Sequence, residues 1–304
     1  MAGPAFRAAA VRVRTPATSA NLGPGFDALG LALGLYDDVV VRVADAGLHI
    51  DIAGEGAETV PRDENHLLVR SLRAAFDLLG GQPRGLELVC ANRIPHGRGL
   101  GSSAAAICAG IVAARAVTIG GAERLGDEAL LELATELEGH PDNVAACLYG
   151  GFTLSWMDGG VARAIRMTPA DSIVPVVFVP ARAVSTETAR GLLPRTVPHV
   201  DAAANAGRAA LLVEALTRRP ELLLTATEDR LHQEYRAPAM PESVTLVNRL
   251  RADGVPAVIS GAGPTVLALA ESGAADKVAR LAGEGWAANR LALDAGGASV
   301  LPLA

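Results

Sequence analysis

Apolar and polar positions change rhythm several times along this chain, and each change predicts an element. Val11-Arg-Val-Arg14 alternates apolar with basic, the period of a strand with one covered face. The stretch from Thr15 to Asp27 loses that alternation and reads as a loop. Residues 39–43 and 48–52 read as strands parted by a turn near 45–47. Residues 65–79 then take a helical period, with Leu67, Leu68, Leu72, Ala75, Phe76 and Leu79 on one face and Gly80-Gly81 as the stop. A strand at 86–89 precedes a long apolar run over 104–117, which reads as a buried helix. Residues 127–138 form a second strong helix stopped at Gly139, and a short helix follows His140-Pro-Asp-Asn143 and ends at Gly150-Gly151.

Beyond that point the pattern predicts strands at 152–156, 162–166 and 174–179, then helices at 185–193, 201–216 and 220–227. Helices at 243–253 and 274–284 bracket strands at 257–260 and 266–270. The irregular alternation predicts an α+β fold rather than a wound parallel sheet. The stretch 157–170 is the poorest in motifs, so the chain divides there into 1–160 and 161–304.

Composition narrows this picture. Of the 304 residues 50% are hydrophobic but only 3% aromatic, so Ala, Leu and Val must fill the core. The net charge of −6 and a pI near 5.6 argue against nucleic acid as a partner, which normally meets a basic face. Cys90, Cys108 and Cys147 are odd in number, unpaired in sequence and set among apolar residues, as reduced core cysteines are. Arg7, Arg12 and Arg14 interrupt any leader-like apolar stretch. The apolar run at 104–119 carries Arg115 and is too short to span a bilayer. A cytoplasmic location without membrane partners is therefore expected, and a homodimer is compatible with the sequence.

The chemistry concentrates in Pro95-His-Gly-Arg-Gly-Leu-Gly-Ser-Ser-Ala-Ala-Ala106. Gly97, Gly99 and Gly101 permit tight turns and close backbone approach. Ser102 and Ser103 are good N-cap types for the helix that follows. A glycine loop feeding a helix N-terminus presents free N–H groups and the positive dipole end, a nest for phosphate. An ordinary glycine-rich turn is the plainer alternative. The loop lacks the Gly-Lys-Ser/Thr ending of a Walker A loop and the spacing of the dinucleotide fingerprint. Lys277 is the only lysine, so amides, arginines and a metal ion must meet phosphate charge.

Three further segments invite a chemical reading. Ser19-Ala-Asn-Leu-Gly-Pro-Gly-Phe-Asp27 brings Asn21 near Asp27, or is simply an Asx-rich turn. Glu132 stands eight residues, about two helical turns, before His140. It either reaches a Mg²⁺ at the loop or sits on a solvated helix face. His140, between Gly139 and Pro141, reads as a structural hydrogen-bonder or as a base. Ser260-Gly-Ala-Gly-Pro-Thr265 is a strand-turn-strand whose amides can face a ligand.

In that order, Asn-Leu-Gly-Pro-Gly-Phe-Asp, Pro-x-x-x-Gly-Leu-Gly-Ser-Ser-Ala and Ser-Gly-Ala-Gly-Pro resemble the three motifs of the GHMP kinases. Glu138-Gly-His-Pro-Asp-Asn-Val144, Gly150-Gly-Phe152, Thr186-Glu-Thr-Ala-Arg-Gly-Leu-Leu-Pro194 and His232-Gln-Glu-Tyr-Arg236 resemble the homoserine kinase branch. The resemblance runs from about residue 8 to about residue 300. It implies an N-terminal α+β domain like part of a ribosomal protein and a C-terminal ferredoxin-like domain. It also implies ATP-dependent phosphorylation of the side-chain hydroxyl of L-homoserine, in threonine biosynthesis.

Carried over by residue, it puts the ATP phosphates on Pro95, His96, Gly97, Arg98, Gly99, Leu100, Gly101, Ser102, Ser103, Ala104 and Ala105. It puts Mg²⁺ on Ser103 and Glu132. Homoserine would be surrounded by Asn21, Asp27, His140, Asn143, Thr186, Arg190 and Arg236, with Asn143, His140 and Arg190 at the reacting centre. Related kinases place an aspartate where this chain has Asn143, which cannot take a proton at neutral pH; Asp142 is its neighbour. Ala146 stands where the branch commonly has proline. The chemistry of a zwitterion agrees with this set: an arginine fork suits its carboxylate, and Asp27 suits its ammonium. Two alternatives remain: a related kinase of isoprenoid precursors or sugars, and a non-catalytic nucleotide-binding relative. The second would be expected to lack Ser103 or Glu132, and both are present.

Overall fold

Two sheets organise the chain in a computed structural model that describes residues 3–281 and 283–303. The first is built on a long pair, β1 (Val11–Ala20) and β2 (Leu29–Ala44), antiparallel along most of their length with a register shift between Pro16 and Ala17. β4 (Gly85–Asn92) pairs with the far half of β2, and β3 (Gly47–Gly54) runs parallel to β4. The near half of β2 pairs with β5 (Phe152–Asp158), which forms a hairpin with β6 (Val161–Met167).

The segment 15–20, expected as loop, is strand. Thr15, Ala17, Thr18, Ser19 and Ala20 are fully buried, so neither face of this stretch shows a polar alternation. Its backbone groups are instead satisfied by β2, a partner the local pattern does not reveal.

Helices α1 (Leu67–Leu79), α2 (Ser102–Val117), a single-turn α3 (Gly121–Arg124), α4 (Asp127–Glu138) and α5 (Pro141–Tyr149) belong to this unit. α2 is apolar around nearly its whole circumference, and Ala104, Ile107, Cys108, Ile111 and Ala114 are all buried, as befits a central helix. Gly110 lets α1 approach: a Cβ there would lie 2.6 Å from Leu68 O. All three cysteines are free and buried, and burial pushes the Cys90 thiol up to about 12.

The second sheet has the order β10-β7-β9-β8 and is antiparallel throughout, from β7 (Ile173–Pro180), β8 (Ala257–Ile259), β9 (Val266–Glu271) and β10 (Trp286–Arg290). Between β7 and β8 come α6 (Thr186–Gly191), α7 (His199–Thr217), α8 (Leu223–Ala226), α9 (Gln233–Arg236) and α10 (Pro241–Ala252). α11 (Ala275–Ala279) lies between β9 and β10. This β-α-β-β-α-β path is ferredoxin-like, as expected. The helix expected over 274–284 is shorter than that, and Ala282 lies outside the described residues.

The division at 160/161 needs correction, because it cuts the β5–β6 hairpin. β6 belongs to the first sheet through seven paired positions, so the break between sheets falls after Met167. The chain end also returns: β11 (Ser299–Leu301), which local pattern did not predict, pairs antiparallel with β1, with Val13 opposite Val300.

Candidate active site

Three glycine-bearing segments, far apart in sequence, meet where the two sheets adjoin. Thr18 N donates to Leu100 O at 3.0 Å, and Gly261 N donates to Ala20 O at 3.1 Å. Ser260 Oγ donates to Gly99 O at 2.6 Å, and Thr265 N donates to Arg98 O at 3.2 Å. Asn21 closes the set, with Nδ2 donating to Gly261 O at 2.9 Å and Oδ1 accepting from Asp27 N at 2.9 Å. Asn21, Leu22 and Asp27 all have positive φ, at 68°, 51° and 53°, which for a buried leucine is stored strain.

Gly97, Gly99 and Gly101 alternate at φ 64°, 73° and 72°. Their lack of side chains is required by neighbours as well as by φ. A Cβ on Gly101 would lie 1.9 Å from Thr18 Oγ1, and one on Gly99 would lie 2.2 Å from Ser260 O. Gly101 is the N-cap of α2, so the helix starts at Ser102 and neither serine caps it. The first-turn amides of α2 accordingly have no partner within the helix and face the loop. Leu100 and Ala104 are buried in the core and can serve a ligand only through backbone, while Arg98 is tied to carbonyls of His96, Pro180 and Ala181. Pro95 leads into the loop.

One cleft is lined by Gly97, Gly99, Gly101, Ser102, Ser103, Asn21, His140, Asn143, Thr186, Arg190 and Arg236, together with Glu138, Asp142 and Gly261. Most of the residues expected from the sequence are thus brought together. Asp27 is not in the wall; it stands behind Arg190 and pairs with it.

Glu132 requires correction. It is exposed on α4 and is not among the lining residues. Glu138, six residues on, lines the cleft instead, and its Oε2 accepts from Ser103 Oγ at 2.7 Å. Burial pushes the Glu138 carboxyl up, against the hydrogen bond from Ser103 and the charge of His140. The signal for it was present in Glu138-Gly-His, the motif that identifies the branch.

Asn143 Oδ1 accepts from Thr18 Oγ1 at 2.8 Å, so this amide is oriented by β1. Asp142 is 1% exposed and accepts from Asn143 N at 2.7 Å. Its Oδ1 lies 3.2 Å from His140 Nδ1, within ion-pair range but out of line for a good hydrogen bond. The Asp142 carboxylate holds His140 above the ordinary imidazole range, against the opposing effect of burial. His140 thus reaches the cleft wall with Asp142 behind it.

Arg236, from α9, is 1% exposed, and its Nε has no hydrogen-bond partner. Its guanidinium and that of Arg190 lie over the same Phe26 ring, at 5.4 Å and 5.8 Å from the centroid. Thr186 and Arg190 are one turn apart on α6 and both face the cleft.

A second hollow adjoins the first and shares Ser102 and Ser103 with it. Its walls are apolar, from Val39, Val60, Leu67, Leu68, Ala105 and Ala109, with Asp37, His66, Asn92 and His96 among them. Two buried polar atoms of its wall, Thr15 Oγ1 and His66 Nε2, have no partner. His66 Nδ1 accepts from Leu68 N at the start of α1. Of its wall the sequence pointed only to loop residues His96, Ser102, Ser103 and Ala105, because the rest is assembled from separate segments spread between Thr15 and Ala109.

The comparisons with known proteins agree with this geometry. The family described as GHMP kinases N terminal domain matches residues 66–151, and that described as GHMP kinases C terminal matches residues 202–287. A homoserine kinase of Streptomyces avermitilis is 88% identical over 304 residues, covering 100% of each chain. The chain belongs to the GHMP kinases, in the homoserine kinase branch. A homoserine kinase of Streptomyces coelicolor is 85% identical, covering 100% of this chain and 98% of that one. The crystal structure of homoserine kinase from Cytophaga hutchinsonii superposes with a TM-score of 0.86 at 28% identity, over 99% of this chain and 100% of that one. In this chain the ferredoxin-like half supplies Arg190 and Arg236. Among the described residues no helix is long and apolar enough to cross a membrane.

Proposed function

We propose that this GHMP kinase transfers the γ-phosphoryl group of ATP to the side-chain hydroxyl of L-homoserine, giving O-phospho-L-homoserine. The observation that carries this reading is the pair of arginines over Phe26, one of them buried with an unpaired Nε–H. A buried guanidinium calls for an anion, and a carboxylate meets two guanidiniums by forked hydrogen bonds. Asp27, already held to Arg190, is the anion for the substrate ammonium.

The glycine loop and the first turn of α2 receive the phosphates, and the apolar hollow next to Ser102 receives the base. Ser103 Oγ and the Glu138 carboxylate form an all-oxygen pair 2.7 Å apart, which fits Mg²⁺, an ion that takes few protein ligands when phosphates supply the rest. When bound, the ion would supply positive charge to the transferring phosphoryl group. Glu138, raised by burial, is a carboxylate that gains from such a cation. Asn143 orients the substrate hydroxyl; its Oδ1 is taken by Thr18, and an amide accepts no proton at neutral pH. His140, with Asp142 at 3.2 Å, lines the cleft wall. In the reaction the hydroxyl oxygen bonds to the γ-phosphorus as the bond to the β,γ-bridging oxygen breaks; ADP leaves, and the hydroxyl proton passes to an oxygen of the transferred phosphoryl group and then to solvent. Positioning and charge stabilisation are the protein's main tasks in such a transfer.

The test is ADP release by the purified chain with ATP and Mg²⁺, with and without L-homoserine, beside mevalonate and galactose. Homoserine-dependent release is expected. Equal background release with every alcohol, or preference for another one, would overturn the assignment.

A further inference from the structure

We propose that His232 is a positioning residue for the amino-acid substrate: its neutral ring holds the Arg236 guanidinium in place, and so sets the affinity for the substrate carboxylate. This rests on the reading of Arg236 as a carboxylate ligand. His232 is absent from the cleft wall and fully buried, just before α9 and four residues before Arg236.

The hydrogen bonds decide the state of the ring. Nε2 lies 2.8 Å from Gly23 O, and a carbonyl can only accept, so Nε2 carries a proton. Nδ1 lies 3.0 Å from an Nη of Arg236, and a guanidinium can only donate, so Nδ1 must be the bare acceptor. Both partners are satisfied only by the neutral Nε2–H tautomer. The ring is further clamped by Phe26, stacked at 5.1 Å and 25°. Phe26 in turn carries the two arginines, so the ring, the phenyl group and Arg236 form one packed unit.

The charged groups around the ring are known. Asp229, on the preceding turn, has Oδ2 at 3.7 Å from Nε2 and favours a charged ring, as does Asp27 from the β1–β2 loop. The Asp229 carboxylate is also engaged by the backbone N–H groups of Leu231, His232 and Gln233. Burial, and after it the charge of Arg236, oppose a charged ring, and burial is the largest effect, so His232 is held below its ordinary 6.5. A proton added to Nδ1 would face the Arg236 donor 3.0 Å away with no acceptor between two cations. Arg236 would have to leave its place over Phe26. Affinity for homoserine therefore falls as the pH drops below 6.5 toward the depressed value, while the substrate carboxylate stays ionised.

The experiment compares wild type, His232→Asn and His232→Leu as full chains, with kcat and both KM values measured from about pH 5 to about pH 8.5. Asparagine keeps an acceptor oxygen near the Nδ1 position but cannot titrate; leucine fills space without an acceptor. The leucine variant should raise KM for homoserine about tenfold or more, with KM for ATP and kcat within about twofold. The asparagine variant should retain most of the affinity and lose the acid rise in KM that wild type displays. A folded leucine variant, by circular dichroism, with unchanged KM for homoserine would overturn the proposal. So would an asparagine variant with the wild-type acid rise, and this arm decides the matter if the leucine variant does not fold. Absence of homoserine-dependent ADP release in wild type would instead fault the substrate assignment.

Discussion

Arg190 and Asp27 face each other in a forked ion pair, Nη2 to Oδ1 at 2.7 Å and Nη1 to Oδ2 at 3.3 Å. One comes from α6 of the second unit and the other from the positive-φ loop between β1 and β2. Both side chains are about one-third exposed, at 35% and 36%, so the pair can open. A zwitterion entering the cleft offers each partner a replacement, its carboxylate for Arg190 and its ammonium for Asp27. Arg190→Ala should therefore raise KM for homoserine roughly ten- to hundred-fold, the equivalent of a lost charge-assisted hydrogen bond of about 1.5–3 kcal/mol. Arg190→Lys should recover only part, because an ammonium cannot reproduce the fork. Homoserine and its carboxyl-amide should be compared on wild type, Arg190→Ala and Arg236→Ala. Equal discrimination against the amide in all three would remove both arginines from the carboxylate site.

The two glutamates of α4 should behave oppositely. Glu138→Gln removes the carboxylate beside Ser103 and should lower kcat by at least about tenfold while raising the Mg²⁺ needed for half-maximal rate. Glu132→Gln, on the exposed face, should stay within about twofold of wild type at limiting Mg²⁺. The reverse ranking would return the metal to Glu132.

Glycines of the phosphate loop should differ among themselves. Gly97→Ala meets only Ala183 Cβ at 3.4 Å and should lose about 1–2 kcal/mol from its left-handed backbone. Gly99→Ala adds a collision with Ser260 O and should lose more, loosening the contact between the loop and the second glycine turn. Urea unfolding of the two variants checks this; equal losses would mean that φ alone accounts for both.

Asp38 gives the stability a pH dependence. This nearly buried carboxylate accepts from Arg12, Arg14 and Arg93. Burial acts to raise its carboxyl, but the hydrogen bonds from Arg14 and Arg12 outweigh it and hold it below 3.8. A depressed carboxyl stabilises the fold above its ordinary range and ceases to do so as the pH falls through the folded value. Asp38→Asn should thus cost about 1.5–3 kcal/mol at neutral pH, and the gap should shrink at acid pH below 3.8. Unfolding measured at both ends gives the answer; a gap independent of pH would exclude the linkage.

What the sequence determined by itself is local. Helix α4 begins and ends where the apolar period and Gly139 predict, because helical hydrogen bonds and a left-handed C-cap at φ 92° are short-range matters. The order of the three glycine motifs likewise pointed to the family before any contact was known. Tertiary structure alone decided the rest. Whether Glu132 or Glu138 meets Ser103 depends on how α4 is turned against α2; the helical period does not separate the two, and only the Glu138-Gly-His motif marks the second. The strand at 15–20 exists because β2 pairs with it, and β11 because the chain end returns to β1. The second hollow, the Phe26 platform and the hold of His232 on Arg236 join residues up to about two hundred positions apart, such as His232 and Gly23. Periodicity reports only which face of an element is covered. Which distant segment covers it follows from packing of the whole chain, where burial and the pairing of buried polar groups leave few arrangements open.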